Sequence, residues 1–213
     1  MTHILNAILV MVLMMNLFAL GTSRIISVIR TVAAQGALLS LIPLLAHRGL
    51  SLPVGLAAIA ALVIKGIVIP SMMGRALRDT SIKREVEPMI GLLPSISLGA
   101  LGAVFALLFA GQLPLAEEHT SSLLVPASFA TVLTGFIFLT TRFKALSQVL
   151  GYLMLENGIF IFGMLLINAM PLMVEMGVLL DLFVGIFVIC IIMNKINQSF
   201  SSMDTRRLVS LKE

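Results

Sequence analysis

Seven runs of apolar residues, at 4–21, 32–47, 54–74, 92–111, 122–141, 148–169 and 173–194, take up most of this 213-residue chain. Each approaches the roughly 20 residues that an α-helix needs to cross about 30 Å of hydrocarbon. In lipid, only helices and closed barrels satisfy their own backbone polar groups, and runs this long specify helices. Charged residues make up 11% of the chain and apolar ones 59%, whereas soluble domains carry about 25% charged residues. So little charge cannot cover a water-facing surface, and the lipid bilayer must be the solvent. The expected fold is all-α, a polytopic transmembrane helix bundle of about seven spans forming a single membrane domain over residues 1–213.

The breaks have loop chemistry: Arg24 to Arg30, Arg48-Gly49 with Pro53, Arg78 to Pro94, Pro114 to Glu118, Arg142 to Lys144, and Met170-Pro171. The first run reads as a span and not a cleavable signal peptide, since it lacks a basic n-region and a small-residue cleavage pattern. Pro70 falls inside the third run and predicts a kink there.

Lys and Arg divide sharply by side. The loops after runs one, three and five, with the C-terminal tail, hold Arg24, Arg30, Arg75, Arg78, Lys83, Arg84, Arg142, Lys144, Lys195, Arg206, Arg207 and Lys212. The other side holds Arg48. The positive-inside rule then puts the N-terminus outside and the C-terminus in the cytoplasm, in a multi-pass protein of the inner membrane. The net charge of +4 is thereby a topology signal, and no nucleic-acid partner is implied.

The single cysteine, Cys190, excludes a disulfide framework, an iron–sulfur cluster on this chain and a Cys-based zinc site. His3, His47 and His119 all sit at or beyond run ends, so no histidine pair at membrane depth holds a haem. No cofactor is expected on this chain, and no metal site.

Three charges fall well inside the runs: Lys65 in AALVIKGIVIP, Glu156 in GYLMLENGIFIFG and Asp181 in GVLLDLFVGIF. Each costs about 2.5–3.5 kcal/mol at the centre of a spanning helix, so each needs a purpose or a partner. Glu175, in LMVEMGV, lies within a turn or so of the outer interface. Gln35, Ser40, Asn157 and Asn168 offer polar company. Two readings compete: Lys65 pairs with a carboxylate only to hold helices together, or the buried groups form a protonatable relay. Gly151, Gly158 and Gly163, with Gly177 and Gly185, are placed to let helices approach closely. A shift of 116 residues sets Lys65 on Asp181 and Ser40 on Glu156, a weak hint that residues 1–111 repeat the unit at 122–213.

From about residue 147 the chain resembles the hydrogenase-4 component E family. The residues that carry this are SQVLGYLMLENGIFIFG, a P-x-x-x-E, GVLLDLFVGIFV and the tail MDTRRLVSLKE. The portion 122–213 is also similar, more distantly, to the three-span K-type subunit of respiratory complex I. Glu156 matches the glutamate of its second span, and Asp181 with Gly185 its third-span E-x-x-x-G register. Asp replaces Glu at the second acid, and the connection between the acids is shorter.

The resemblance implies a non-catalytic subunit of a complex-I-like, hydrogenase-type assembly. Its partners would be antiporter-like and other membrane-arm subunits. Electron-transfer cofactors would lie on other chains. Glu156, Asp181, Lys65 and Glu175 would contribute to a proton or sodium path. A scaffold subunit of the same arm, or a stand-alone secondary transporter with a helix broken near Lys65, Gly66 and Pro70, are the alternatives.

Overall fold

The computed structural model describes residues 2–46, 52–79, 89–113, 123–142, 144–166 and 194. Among these every regular element is helical. The helices are α1 (Thr2–Gly21), α2 (Ile25–Ala46), α3 (Leu52–Val63), α4 (Ile69–Asp79), α5 (Leu92–Ala110), α6 (Leu124–Thr140) and α7 (Ala145–Gly163). A π-helical turn, Ile64–Val68, joins α3 to α4, and a 3₁₀ turn, Met164–Leu166, follows α7.

Five stretches are long and apolar enough to cross a membrane: His3–Gly21, Ile25–Pro43, Ala58–Arg75, Leu92–Ala110 and Leu146–Gly163. The shorter Leu124–Thr140 is apolar too, and its 17 residues reach roughly 25 Å at about 1.5 Å per residue. The first six apolar runs therefore correspond to helices. The seventh, 173–194, lies outside the described residues except for Asn194.

Several boundaries differ from the sequence reading, and Pro53 and Arg78, read as loop residues, fall inside α3 and α4. The stretch Arg24 to Arg30, expected as a loop, is helical from Ile25. Ile25, Val28, Ile29 and Val32 are all buried; spaced along one helical face, they extend the apolar stripe a full turn or more beyond the uninterrupted run. Pro94 likewise belongs to α5, in its first turn, where a missing N–H breaks no helical hydrogen bond.

Two polar ties set the course of the chain. Asn6, near the start of α1, accepts a 3.0 Å hydrogen bond from the backbone N–H of Leu123, just before α6. Arg142, just after α6, donates at 3.1 Å to the carbonyl of Leu20 in the last turn of α1. The two helices are thus parallel. Arg24, Arg75 and Lys144 fall at or near one end of the bundle, hereafter the basic end.

The interior has three layers. Nearest the basic end, Leu20, Ile25, Val28, Ile29, Met73 and Phe138 are among the residues of one buried apolar cluster. Toward the far end a second cluster includes Leu9, Leu39, Ile42, Leu124 and Ile161. Between them come Asn16, Gln35, Thr131, Glu156 and Asn157, all buried. The outer faces are apolar as well: Leu93 is 79% exposed and Met14 70%. Continuous apolar surface of this kind is untenable in water and matches a lipid-facing one.

The tightest packing joins α6 to α7. A Cβ added at Gly135 would fall 2.5 Å from the backbone N of Leu155, one at Gly151 2.8 Å from that of Leu139, and one at Gly158 2.7 Å from that of Val132. Gly151 and Gly158 thus serve the close approach expected of them, and Gly135 joins them from the facing helix. Gly163 differs, since a Cβ there would meet nothing within 4 Å among the described residues. Gly177 and Gly185 lie outside the described residues.

Candidate functional site

Lys65 owes its position to the π turn. Pro70 has no N–H, and its ring would press on the carbonyl four residues earlier, at Gly66. The helix responds by widening: Ile69 N–H bonds to the carbonyl of Ile64, five residues back. The disturbance expected at Pro70 therefore takes the form of a π turn in a helix that continues to Asp79, not a chain break. Widened turns of this type recur at functional sites.

Small residues on α2 make room for this turn. A Cβ at Gly36 would fall 3.0 Å from the Cβ of Lys65, and one at Gly66 would meet the Ala37 Cβ at 3.5 Å. With α2 this close, the lysine side chain extends to α7. Its Nζ stands 3.2 Å from Glu156 Oε1, both side chains being about nine-tenths buried. Nζ also lies 5.5 Å from the centre of the Phe160 ring. Glu156 and Phe160 are one helical turn apart, so one face of α7 offers the ammonium a carboxylate and an aromatic face together. The pair neutralises two charges that would each be costly alone in hydrocarbon.

Beside the pair runs a chain of amides through four helices. Asn157 on α7 donates at 3.3 Å to Gln35 on α2. Gln35 donates at 2.9 Å to Asn16 on α1. Asn16 donates at 2.8 Å to the Thr131 hydroxyl on α6, which donates in turn to the Ala127 carbonyl at 2.7 Å. Each amide passes on a hydrogen bond in the same sense, an arrangement whose members polarise one another.

Replacing Gln35 with leucine should therefore weaken the bundle. It strands the Asn157 amide and the Asn16 carbonyl in a buried layer, at about 1–3 kcal/mol per unsatisfied group. A thermal melt of the detergent-solubilised protein should show a lowered midpoint. Ser40→Ala should leave it nearly unchanged, because among the described residues the Ser40 hydroxyl bonds to the Ala37 carbonyl of its own helix alone.

Of the expected site residues, Lys65 and Glu156 come together, while Asp181 and Glu175 lie outside the described residues, as do Asn168 and Cys190. Gln35 and Asn157 were legible as polar company, though their partners Asn16 and Thr131 were not singled out. A lone amide in the run MMNLF was the available signal for Asn16. Arg142, counted among the loop charges, is 1% exposed. Its guanidinium lies 4.7 Å from the centre of the Phe138 ring, and burial lowers its pKa from the ordinary value. It ties the end of α1 to the α6–α7 turn. No three His, Cys, Asp or Glu side chains cluster as metal ligands among the described residues.

Apolar helices of spanning length around a buried ion pair define a polytopic helical membrane protein with charge at membrane depth. The chain belongs to the family of Uncharacterized protein Rv0085 of Mycobacterium tuberculosis, with 32% identity over 194 residues, 88% of this chain and 86% of that protein. It is also similar to Hydrogenase-4 component E of Escherichia coli K12 and of Shigella flexneri, with 26% identity over 158 residues, 72% of this chain and 71% of theirs. No family model matches the chain, and no solved structure matches it significantly.

Proposed function

We propose that this chain is a non-catalytic membrane subunit of a hydrogenase-type, complex-I-like respiratory complex, and that Lys65 and Glu156 form part of its proton or sodium path. The observation that carries this reading is the Lys65–Glu156 pair, 3.2 Å apart, in a polar layer between two apolar ones. A layer that served only to hold helices together could be apolar at no loss, since a buried ion pair is often no better than packed hydrophobic residues. The likeness to Hydrogenase-4 component E supports membership of a multi-subunit assembly.

In this reading Glu156 exchanges a proton or ion when Lys65 moves toward or away from it, and the π turn supplies the compliance. Asp181 and Glu175 extend the path from the seventh span. Electron-transfer cofactors sit on partner chains. The basic end faces the cytoplasm, by the positive-inside rule.

A second reading has a specific observation behind it. The pair and the amide chain together tie α1, α2, α6, α7 and the π turn, as a scaffold subunit would need. Affinity purification of the tagged chain from its native membrane tests the shared part of both readings. Antiporter-like and hydrogenase-like chains should co-purify in fixed proportion. Purification of the chain alone as a stable, solute-binding protein would refute membership and favour a stand-alone transporter.

A further inference from the structure

A cavity lies beside Lys65, between α2, α4 and α7. It has about 10 Å³ open to the centre of a water molecule, near the minimum that a single water requires. At one end are Gly36, Lys65 and Asn157; at the other are Ile29, Met73 and Leu150. Gly36 lies seven residue steps along α2 from Ile29, a distance of roughly 10 Å at about 1.5 Å per residue. The cavity therefore marks a seam running from the ion pair toward the basic end.

The chemistry of the seam is graded. Its inner end carries the ammonium of Lys65 and the amide of Asn157, groups that can bind water. Its outer end is closed by Ile29, Met73 and Leu150, all buried. One turn further toward the basic end, Ile25 on α2 and Leu77 on α4 are buried in the same cluster, and the exposed Arg24 and Arg75 flank that end. The buried apolar cluster of the basic end thus separates the cavity from that end, with Ile29, Met73 and Leu150 as its innermost tier. One of those three innermost residues is methionine, an unbranched side chain that readily changes shape. A Cβ at neighbouring Gly74 would meet nothing within 4 Å among the described residues.

We propose that this seam is the route by which water reaches Lys65 from the basic end, with Met73 as the side chain that opens and closes it. The proposal deepens the relay reading of Lys65 and Glu156 by giving their site one wet side. Water access is separable from ion transfer, because a seam can be wet in a subunit that transfers nothing.

Cysteine labelling in native membrane vesicles tests it. In a Cys190→Ser background, Ile29→Cys, Ala33→Cys and Met73→Cys place thiols on the seam. Leu39→Cys places one in the far apolar layer, and Ile67→Cys, at a position 64% exposed, one on the lipid-facing side of the same π turn. The probe is a membrane-impermeant, positively charged methanethiosulfonate; the cysteine thiolate attacks it and releases methanesulfinate, so the reaction reports water at the thiol. The seam thiols should react at least about tenfold faster than those at positions 39 and 67. They should do so only from the vesicle face at which Arg75→Cys reacts. Seam thiols as slow as the Leu39→Cys thiol, or labelled from the opposite face, would overturn the proposal. Ala33→Cys is the smallest change of the three and decides the matter if the others fail to accumulate. Fast labelling with unaltered ion movement in Glu156→Gln would instead defeat the relay and leave the water route standing.

Discussion

Gly135→Leu should abolish accumulation of the chain in the membrane. The first carbon of any side chain at that position would lie 2.5 Å from the Leu155 backbone N and 2.7 Å from its Cα. Backbone cannot swing aside as a flexible side chain can, so α6 and α7 must part. Gly135→Ala alone should cost about 1–3 kcal/mol, the usual range for overpacking, and leucine more. The displacement also acts on function, because Leu155 immediately precedes Glu156 and Asn157. Gly74→Ala is the control: with nothing among the described residues within 4 Å of its Cβ, it should be neutral or stabilising by up to about 1 kcal/mol from helix propensity. Quantitative immunoblotting of membranes, with melting of the solubilised protein, checks both. Normal accumulation of Gly135→Leu would mean that α6 and α7 do not approach as closely as described.

Substitutions at Lys65 should have the second large effect, and they separate a relay from a structural tie. If the lysine only holds Glu156, Lys65→Met leaves a buried carboxylate without its cation, and breaking such a pair costs about 3–5 kcal/mol. The subunit would then be lost, and Lys65→Met with Glu156→Gln would restore it. A relay role gives the reverse: the acid takes up a proton, the subunit stays, and coupled ion movement falls with no recovery in the double variant. Lys65→Arg keeps the charge but not the ability to release a proton at physiological pH. It should retain assembly and lose ion movement. Retained ion movement with arginine would reduce Lys65 to an electrostatic partner that itself exchanges no proton.

The helices of the first six runs were legible because lipid imposes a length and a composition that few other environments demand. The start of α2 was misplaced because Arg24 and Arg30 interrupt the apolar run, although the spacing of Ile25, Val28, Ile29 and Val32 already marked a helical face. Lys65 and Glu156 were recognisable as costly residues in their runs. Their pairing was not, since Lys65 had Asp181 as an equally good candidate and no local pattern ranks contacts so distant in the chain. Pro70 announced a disturbance without specifying that a π turn would absorb it. Thr131 escaped notice because threonine in a membrane helix usually satisfies itself on the preceding turn, as Thr134 does on Ala130; only the three-dimensional approach of Asn16 gives Thr131 a second role. Arg142 was misread for a related reason. A loop arginine is ordinarily hydrated, and what buries this one is the meeting of Leu20 and Phe138.

The most direct measurement is ion uptake by membrane vesicles that contain the intact complex, driven by its own electron transfer, with Glu156→Gln compared against the unaltered chain. The amide keeps the shape of the side chain and removes its exchangeable charge. Assembly should be unchanged and coupled proton or sodium uptake should fall severalfold. Full uptake in Glu156→Gln vesicles would contradict a conducting role for the Lys65–Glu156 pair and leave it as a tie between helices.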